Sequence, residues 1–76
     1  MVERLSTHQA LSPLSGREID VLRLVAQGRA NKEIAAELGL SEPTVKTYLV
    51  RVYTKLGAPD RTSAVTQAIE RGYLRL

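Results

Sequence analysis

Cysteine, tryptophan and phenylalanine are absent from this 76-residue sequence, and histidine occurs once. Without cysteine there is no disulfide, no thiolate metal site and no cysteine nucleophile, and the composition suits a reducing, cytoplasmic compartment. The lone His8 lies in a polar N-terminal stretch. A metal site needs several ligands, so His8 is expected to be a solvated linker residue and no metal is expected. No apolar run approaches the roughly 20 residues of a membrane span, and no signal-peptide pattern opens the chain. No membrane partner is therefore expected. The length allows one small domain that buries about 60–65% of its unfolded surface. A separate substrate domain or deep catalytic cleft does not fit. Glu33 and Glu37 are spaced to share a helix face, but no partner group accompanies them, so they are expected to form a solvated face. No catalytic residue and no cofactor are expected, and the chain is not expected to be an enzyme.

Eleven lysines and arginines oppose eight acidic residues, giving a net charge of +3 and a pI of about 9.7. Such a balance favours a polyanionic partner, because cations that replace condensed counterions gain affinity at low salt. It becomes specific only if the charges gather on one face of a reading element.

Residues 1–13 show no sustained period. Ser6, Thr7, Gln9, Ser12 and Pro13 make this stretch an expected arm or linker, with Arg4 as a solvated charge. The domain is expected over 14–76. Ser15-Gly16-Arg17-Glu18 is a capping box, and Leu14 with Ile19 can form a hydrophobic staple. Ile19, Leu22, Val25 and Ala26 form the expected core stripe of a first helix, widened by Val21 and Leu24 and ended by Gly28. Asn31 is expected to cap a second helix through Ile34, Ala35 and Leu38, stopped by Gly39. Ser41 is expected to cap a third helix with Pro43 in its first turn. There Val45, Leu49, Val52 and Leu56 step by 4, 3 and 4 into one buried stripe, closed by Gly57. Asp60 should cap a fourth helix whose apolar side is Ala64, Val65, Ala68 and Ile69, ended by Gly72. Tyr73 and Leu74 should pack back. The expected fold is all-α: three helices forming a helix-turn-helix core, plus a C-terminal dimerisation helix.

Ala35, Gly39 and Val45 carry the most information. A small residue lets a second helix pack close, glycine four residues on permits a left-handed reversal, and a branched apolar residue six later fills the angle between the helices. This is the helix-turn-helix pattern, whose second helix enters a DNA major groove. On the third helix, over about 42–56, Lys46, Thr47 and Val50 are the expected base-contacting residues. Lys46 can donate to guanine O6 and N7 or to a phosphate, and Thr47 can contact a base edge or a thymine methyl. Val50 is apolar where a solvated face would be polar. A thymine methyl and a wide hydrophobic stripe explain it equally well. Tyr48, Arg51 and Lys55 lie further round or along and are expected at phosphates. Asn31, Lys32, Ser41 and Thr44 join them, because helix N-termini favour phosphate oxygens. Glu42 suits the helix dipole and could accept from a cytosine amine or repel phosphates. Thr62, Thr66 and Ile69 form a second stripe on the fourth helix and are the expected dimerisation residues.

From Leu14 onward the chain resembles the LuxR-type helix-turn-helix domain, also called the NarL-type domain of response regulators. The resemblance rests on Leu14-Ser15-Gly16-Arg17-Glu18, Val21-Leu22, Gly28, Asn31, Glu33-Ile34-Ala35, Leu38, Ser41 and Thr44-Val45-Lys46. It continues through Lys55-Leu56, Arg61, Ala64-Val65, Ala68 and Gly72 without a gap. It implies a bacterial transcription regulator that binds double-stranded DNA as a homodimer on a short inverted repeat, with RNA polymerase as a further potential partner. It also implies that the third helix reads the groove and the fourth helps dimerise. Tyr48 stands where many members carry histidine, and Val50 where several carry a polar residue. The family usually places a sensory domain ahead of this module, so the chain fits either a C-terminal output domain or a small stand-alone member. Two other classes compete: a sigma-factor-like promoter-binding segment, and a helical protein-interaction module that does not bind DNA.

Overall fold

The computed structural model describes residues 13–75. The readings made of His8, Arg4 and most of the N-terminal arm lie outside these residues. Four helices follow one another: α1 Gly16–Ala26, α2 Asn31–Leu38, α3 Glu42–Leu56 and α4 Arg61–Glu70. Among the described residues there is no strand. The expected all-α, four-helix architecture is the one found.

Local signals set three of the four helix starts. The Ser15 hydroxyl accepts from the Glu18 N–H, and the Glu18 carboxylate accepts from the Ser15 N–H at 2.7 Å, completing the capping box of α1. The Ser41 hydroxyl accepts from the Thr44 N–H, with Pro43 in the first turn of α3. Asp60 caps α4 through the Ser63 N–H at 2.8 Å. The start of α2 differs from expectation. Its cap position is Ala30, and Asn31 is already the first helical residue. Alanine has no side-chain acceptor. Only half of a capping box therefore forms, with the Glu33 carboxylate accepting from the Ala30 N–H at 2.8 Å.

Gly39 (φ 69°) closes α2 and Gly57 (φ 68°) closes α3. At each, the following amide reaches back five residues: Leu40 N–H to the Ala35 carbonyl, and Ala58 N–H to the Tyr53 carbonyl. This reversal needs the left-handed conformation that glycine adopts without strain. A Cβ at either position would meet nothing within 4 Å, so the requirement is conformational and not steric.

The core joins Val21, Leu22, Leu24 and Val25 of α1, Ile34 and Ala35 of α2, Val45, Leu49, Val52 and Leu56 of α3, and Ala64 and Ala68 of α4. Helix α3 packs against each of the other three. Leu14 and Leu74, at the two ends of the fold, are buried as well. The stripe of α1 is rotated from the expected one. Ala26 is exposed and Ile19 half-buried, whereas Glu18 is buried at 3% exposure. Glu18, Val21, Leu22 and Val25 share the inward face, and the Glu18 carboxylate reaches back from it to the helix cap.

That buried carboxylate also accepts from Lys55 Nζ at 2.9 Å. Lys55 in turn donates to the Pro13 carbonyl at 3.3 Å, and the Leu14 N–H donates to the Tyr73 hydroxyl at 3.3 Å. The last turn of α3 and the C-terminal tail thus both hold the start of α1. Burial pushes the Glu18 carboxyl up, but the Ser15 N–H and the Lys55 ammonium outweigh it and leave the group below the ordinary glutamate range.

Two outcomes are expected from this clasp. Lys55→Met keeps the packing of the stem but removes the donor, and should cost about 1.5–3 kcal/mol in urea denaturation, since a buried charge loses a partner. Because the folded pKa of Glu18 is depressed, its contribution is full above the unfolded value and is lost as pH falls through the folded one. Wild type should therefore lose stability more steeply than Glu18→Gln only as pH falls below about 5, with the two profiles parallel above it. Profiles parallel throughout would rule out the clasp as a source of stability.

Candidate nucleic-acid interface

Helix α3 buries one stripe and leaves most of its circumference bare. Thr44, Lys46, Thr47, Val50, Arg51 and Thr54 are exposed, and Tyr48 and Lys55 are half-buried. Val50 is 62% exposed, the only large hydrophobic side chain in that state among the described residues. It therefore does not belong to a widened core stripe. At the N-terminus of α3 the Ser41 and Thr44 hydroxyls lie 2.9 Å apart. The Arg51 guanidinium lies 5.8 Å from the centroid of the Tyr48 ring, within range of a cation–π contact that holds it against the helix.

Of the expected phosphate residues, Tyr48 is half-buried against the core, and the other six divide into two groups. Lys32, Ser41, Thr44 and Arg51 are exposed at the α2 and α3 N-termini or along α3. Asn31 and Lys55 are engaged inside the domain. The Asn31 side-chain oxygen accepts from Arg61 Nη2 at 2.7 Å, tying the start of α2 to the start of α4. Lys55 is committed to Glu18 and the Pro13 carbonyl, leaving it little freedom for an external anion. Neither engagement shows in the sequence, because both partners come from distant elements.

Cations are sorted across the surface. Arg17 and Arg23 flank Asp20, Arg29 pairs with Glu37, and Lys55 pairs with Glu18. Arg61 and Arg71 donate to uncharged oxygens. Among the described residues Lys32, Lys46 and Arg51 on the α2–α3 side have no carboxylate partner, and neither do Arg61, Arg71 and Arg75 elsewhere, but only the first three also lack a hydrogen-bond partner beside the exposed face of α3. The two helix N-termini there add partial positive charge. Glu33 and Glu37, read above as a solvated face, are both exposed, Glu33 accepting at the α2 cap and Glu37 pairing with Arg29 on the surface.

Among the described residues no group of three or more His, Asp or Glu side chains could hold a metal, and no helix is long and apolar enough to cross a membrane. On the opposite side, Thr62 and Thr66 line a shallow groove with Ala26 and Val65. Ile69 is half-buried and lines the adjoining groove with Arg23, Gln27 and Tyr73.

Comparison with known proteins agrees with this geometry. A sequence model of the family described as bacterial regulatory proteins, luxR family (GerE), matches residues 12–68. The chain is 43% identical over 74 residues to the transcriptional regulatory protein YdfI of Bacillus subtilis, an alignment covering 97% of this chain and 35% of that protein. It is 41% identical over 64 residues to the transcriptional regulatory protein DesR of the same organism, covering 84% of this chain and 32% of that protein. The crystal structure of the response regulator ChrA, from a heme-sensing two-component system, superposes with a TM-score of 0.79 at 42% identity, covering 91% of this chain and 36% of that one. The chain thus spans about a third of the length of these relatives. A helix-turn-helix whose bare helix faces outward between unpaired cations, together with these matches, shows that the chain belongs to the luxR family of bacterial regulatory proteins.

Proposed function

We propose that this chain is a sequence-specific double-stranded DNA-binding domain of a cytoplasmic transcription regulator, formed by residues 14–76 after an arm at 1–13. The observation that carries the proposal is the coincidence on α3 of a fully exposed face with the unpaired cations Lys46 and Arg51. In this reading α3 enters the major groove, where Lys46, Thr47 and Val50 meet base edges. Lys32, Ser41, Thr44, Tyr48 and Arg51 hold the flanking phosphates. Asn31 and Lys55 have a supporting role, keeping the ends of α2 and α3 in place. Two copies meet across a two-fold axis through Thr62, Thr66 and Ile69, so that two α3 helices fall about one DNA turn apart on an inverted repeat. A patch this small is below the roughly 1,000 Å² of a stable interface, so pairing should occur on DNA and not in dilute solution. RNA polymerase remains a further proposed partner.

Affinity for duplex DNA should fall steeply with salt. Arg51→Ala and Lys32→Ala should each weaken binding on all sequences alike and flatten the log–log salt slope by about 0.9. An unchanged slope would remove that residue from the phosphate contacts. Lys46→Ala should cost roughly 1–3 kcal/mol on the preferred site and less on random DNA, and equal losses would make Lys46 a phosphate clamp alone. Thr66→Asp charges the exposed part of the pairing stripe without disturbing half-buried Ile69. It should abolish cooperative filling of a full inverted repeat and leave half-site binding intact. Wild-type cooperativity in this variant would place the dimer surface elsewhere.

A further inference from the structure

The ridge of α3 that projects furthest from the core carries no charge. At about 100° per residue, Pro43, Thr47, Val50 and Thr54 fall within about 60° of one another, opposite the buried stripe, with Lys46 and Arg51 about 40° outside either edge. The two threonine hydroxyls on this ridge are turned inward. Thr47 Oγ1 donates to the Pro43 carbonyl at 3.1 Å, and Thr54 Oγ1 donates to the Val50 carbonyl at 2.8 Å. Each hydroxyl proton is thereby used within the helix. What remains on the ridge is the threonine methyls, the exposed Val50 isopropyl group and the edge of the Pro43 ring. From Thr47 to Thr54 this apolar line is about 10 Å long, the height of about three base-pair steps.

A ridge of this kind has no free donor for the N7 and O6 acceptors of guanine, and its outermost groups are methyls. The major-groove feature that matches it is the 5-methyl group of a pyrimidine. We propose that Thr47 and Val50, with Thr54 beyond them, form a methyl-reading ridge, so that the site bound by this chain is selected for thymine 5-methyl groups under the centre of α3. Lys46 and Arg51 then read or anchor from its two flanks. This rests on the DNA-binding reading above and adds what the centre of the reading face recognises. It also accounts for Val50 as an exposed apolar residue. A solvated helix face has no use for it, and a buried methyl contact does.

The test uses the whole chain and a duplex site selected by it from random double-stranded DNA. The site is resynthesised with deoxyuridine in place of thymidine, which removes only the 5-methyl groups, and affinities are compared by fluorescence anisotropy. Wild type should bind the uracil duplex about fourfold more weakly for each methyl it covers. Thr47→Ser keeps the hydroxyl and loses the methyl, and Val50→Ala changes an exposed position that the fold does not use. Both variants should lose part of the thymine-over-uracil preference, whereas Lys46→Ala should weaken binding but keep that preference. Equal wild-type affinity for the two duplexes, with binding intact, overturns the methyl ridge and leaves the DNA-binding reading standing. A preference that survives in both ridge variants also overturns it, since the methyls are then sensed elsewhere or through duplex shape. Failure to bind any duplex overturns the DNA-binding reading and the ridge together.

Discussion

A helix that leaves most of its surface exposed must be held by what little remains, and α3 is built under that constraint. Its main internal anchor is the stripe Val45, Leu49, Val52 and Leu56, all of it buried, with Tyr48 and Tyr53 packed at its margins. Every other helix packs against that stripe. Its ends are fixed by separate means. Ser41 and Pro43 set the first turn, Gly57 ends the last, and Lys55 fastens the last turn to Glu18. In a domain of this size the core is modest, so polar ties at the ends weigh more than they would in a larger protein. The Glu18–Lys55 contact links the two ends of the helix-turn-helix core, and its burial on the glutamate side makes it sensitive to the loss of either partner.

The distribution of charge follows from the same economy of contacts. Arg17 and Arg23 of α1 pair with Asp20 one turn away, and Arg29 of the α1–α2 loop pairs with Glu37 of α2. Such exposed pairs contribute little stability. Their effect is to neutralise the α1 face around Asp20 and the α1–α2 loop, while Lys32, Lys46 and Arg51 keep their charge beside the exposed face of α3.

Much of the fold was legible because helix ends are written locally. Ser15 with Glu18, Ser41 with Pro43, and Asp60 each name a start, and the left-handed glycines name the stops. The α3 stripe was legible from its 4-3-4 spacing. Less legible was anything decided by a distant partner. Asn31 has the side chain of a cap, yet the chain turns one residue earlier and leaves it to Arg61 of α4. Ala26 fits the period of α1, yet it is exposed and the capping residue Glu18 lies on the buried face. Lys55 reads as one more surface cation until Glu18 is found beside it. Of the residues expected at DNA, the sequence pattern could name the helix and its outward face. It could not show that the Thr47 and Thr54 hydroxyls turn back onto their own helix.

The central claim is that the outward face of α3, and not the groove between α1 and α4, meets DNA. Titrating duplex DNA into the isotope-labelled chain and following its backbone amide signals tests this directly. The account predicts shifts concentrated at Lys32 and over residues 41–54, reversed by added salt, with the α1 face carrying Arg17 and Arg23 unmoved. Shifts centred instead on Arg23, Val65 and Tyr73, with residues 41–54 silent, would contradict it.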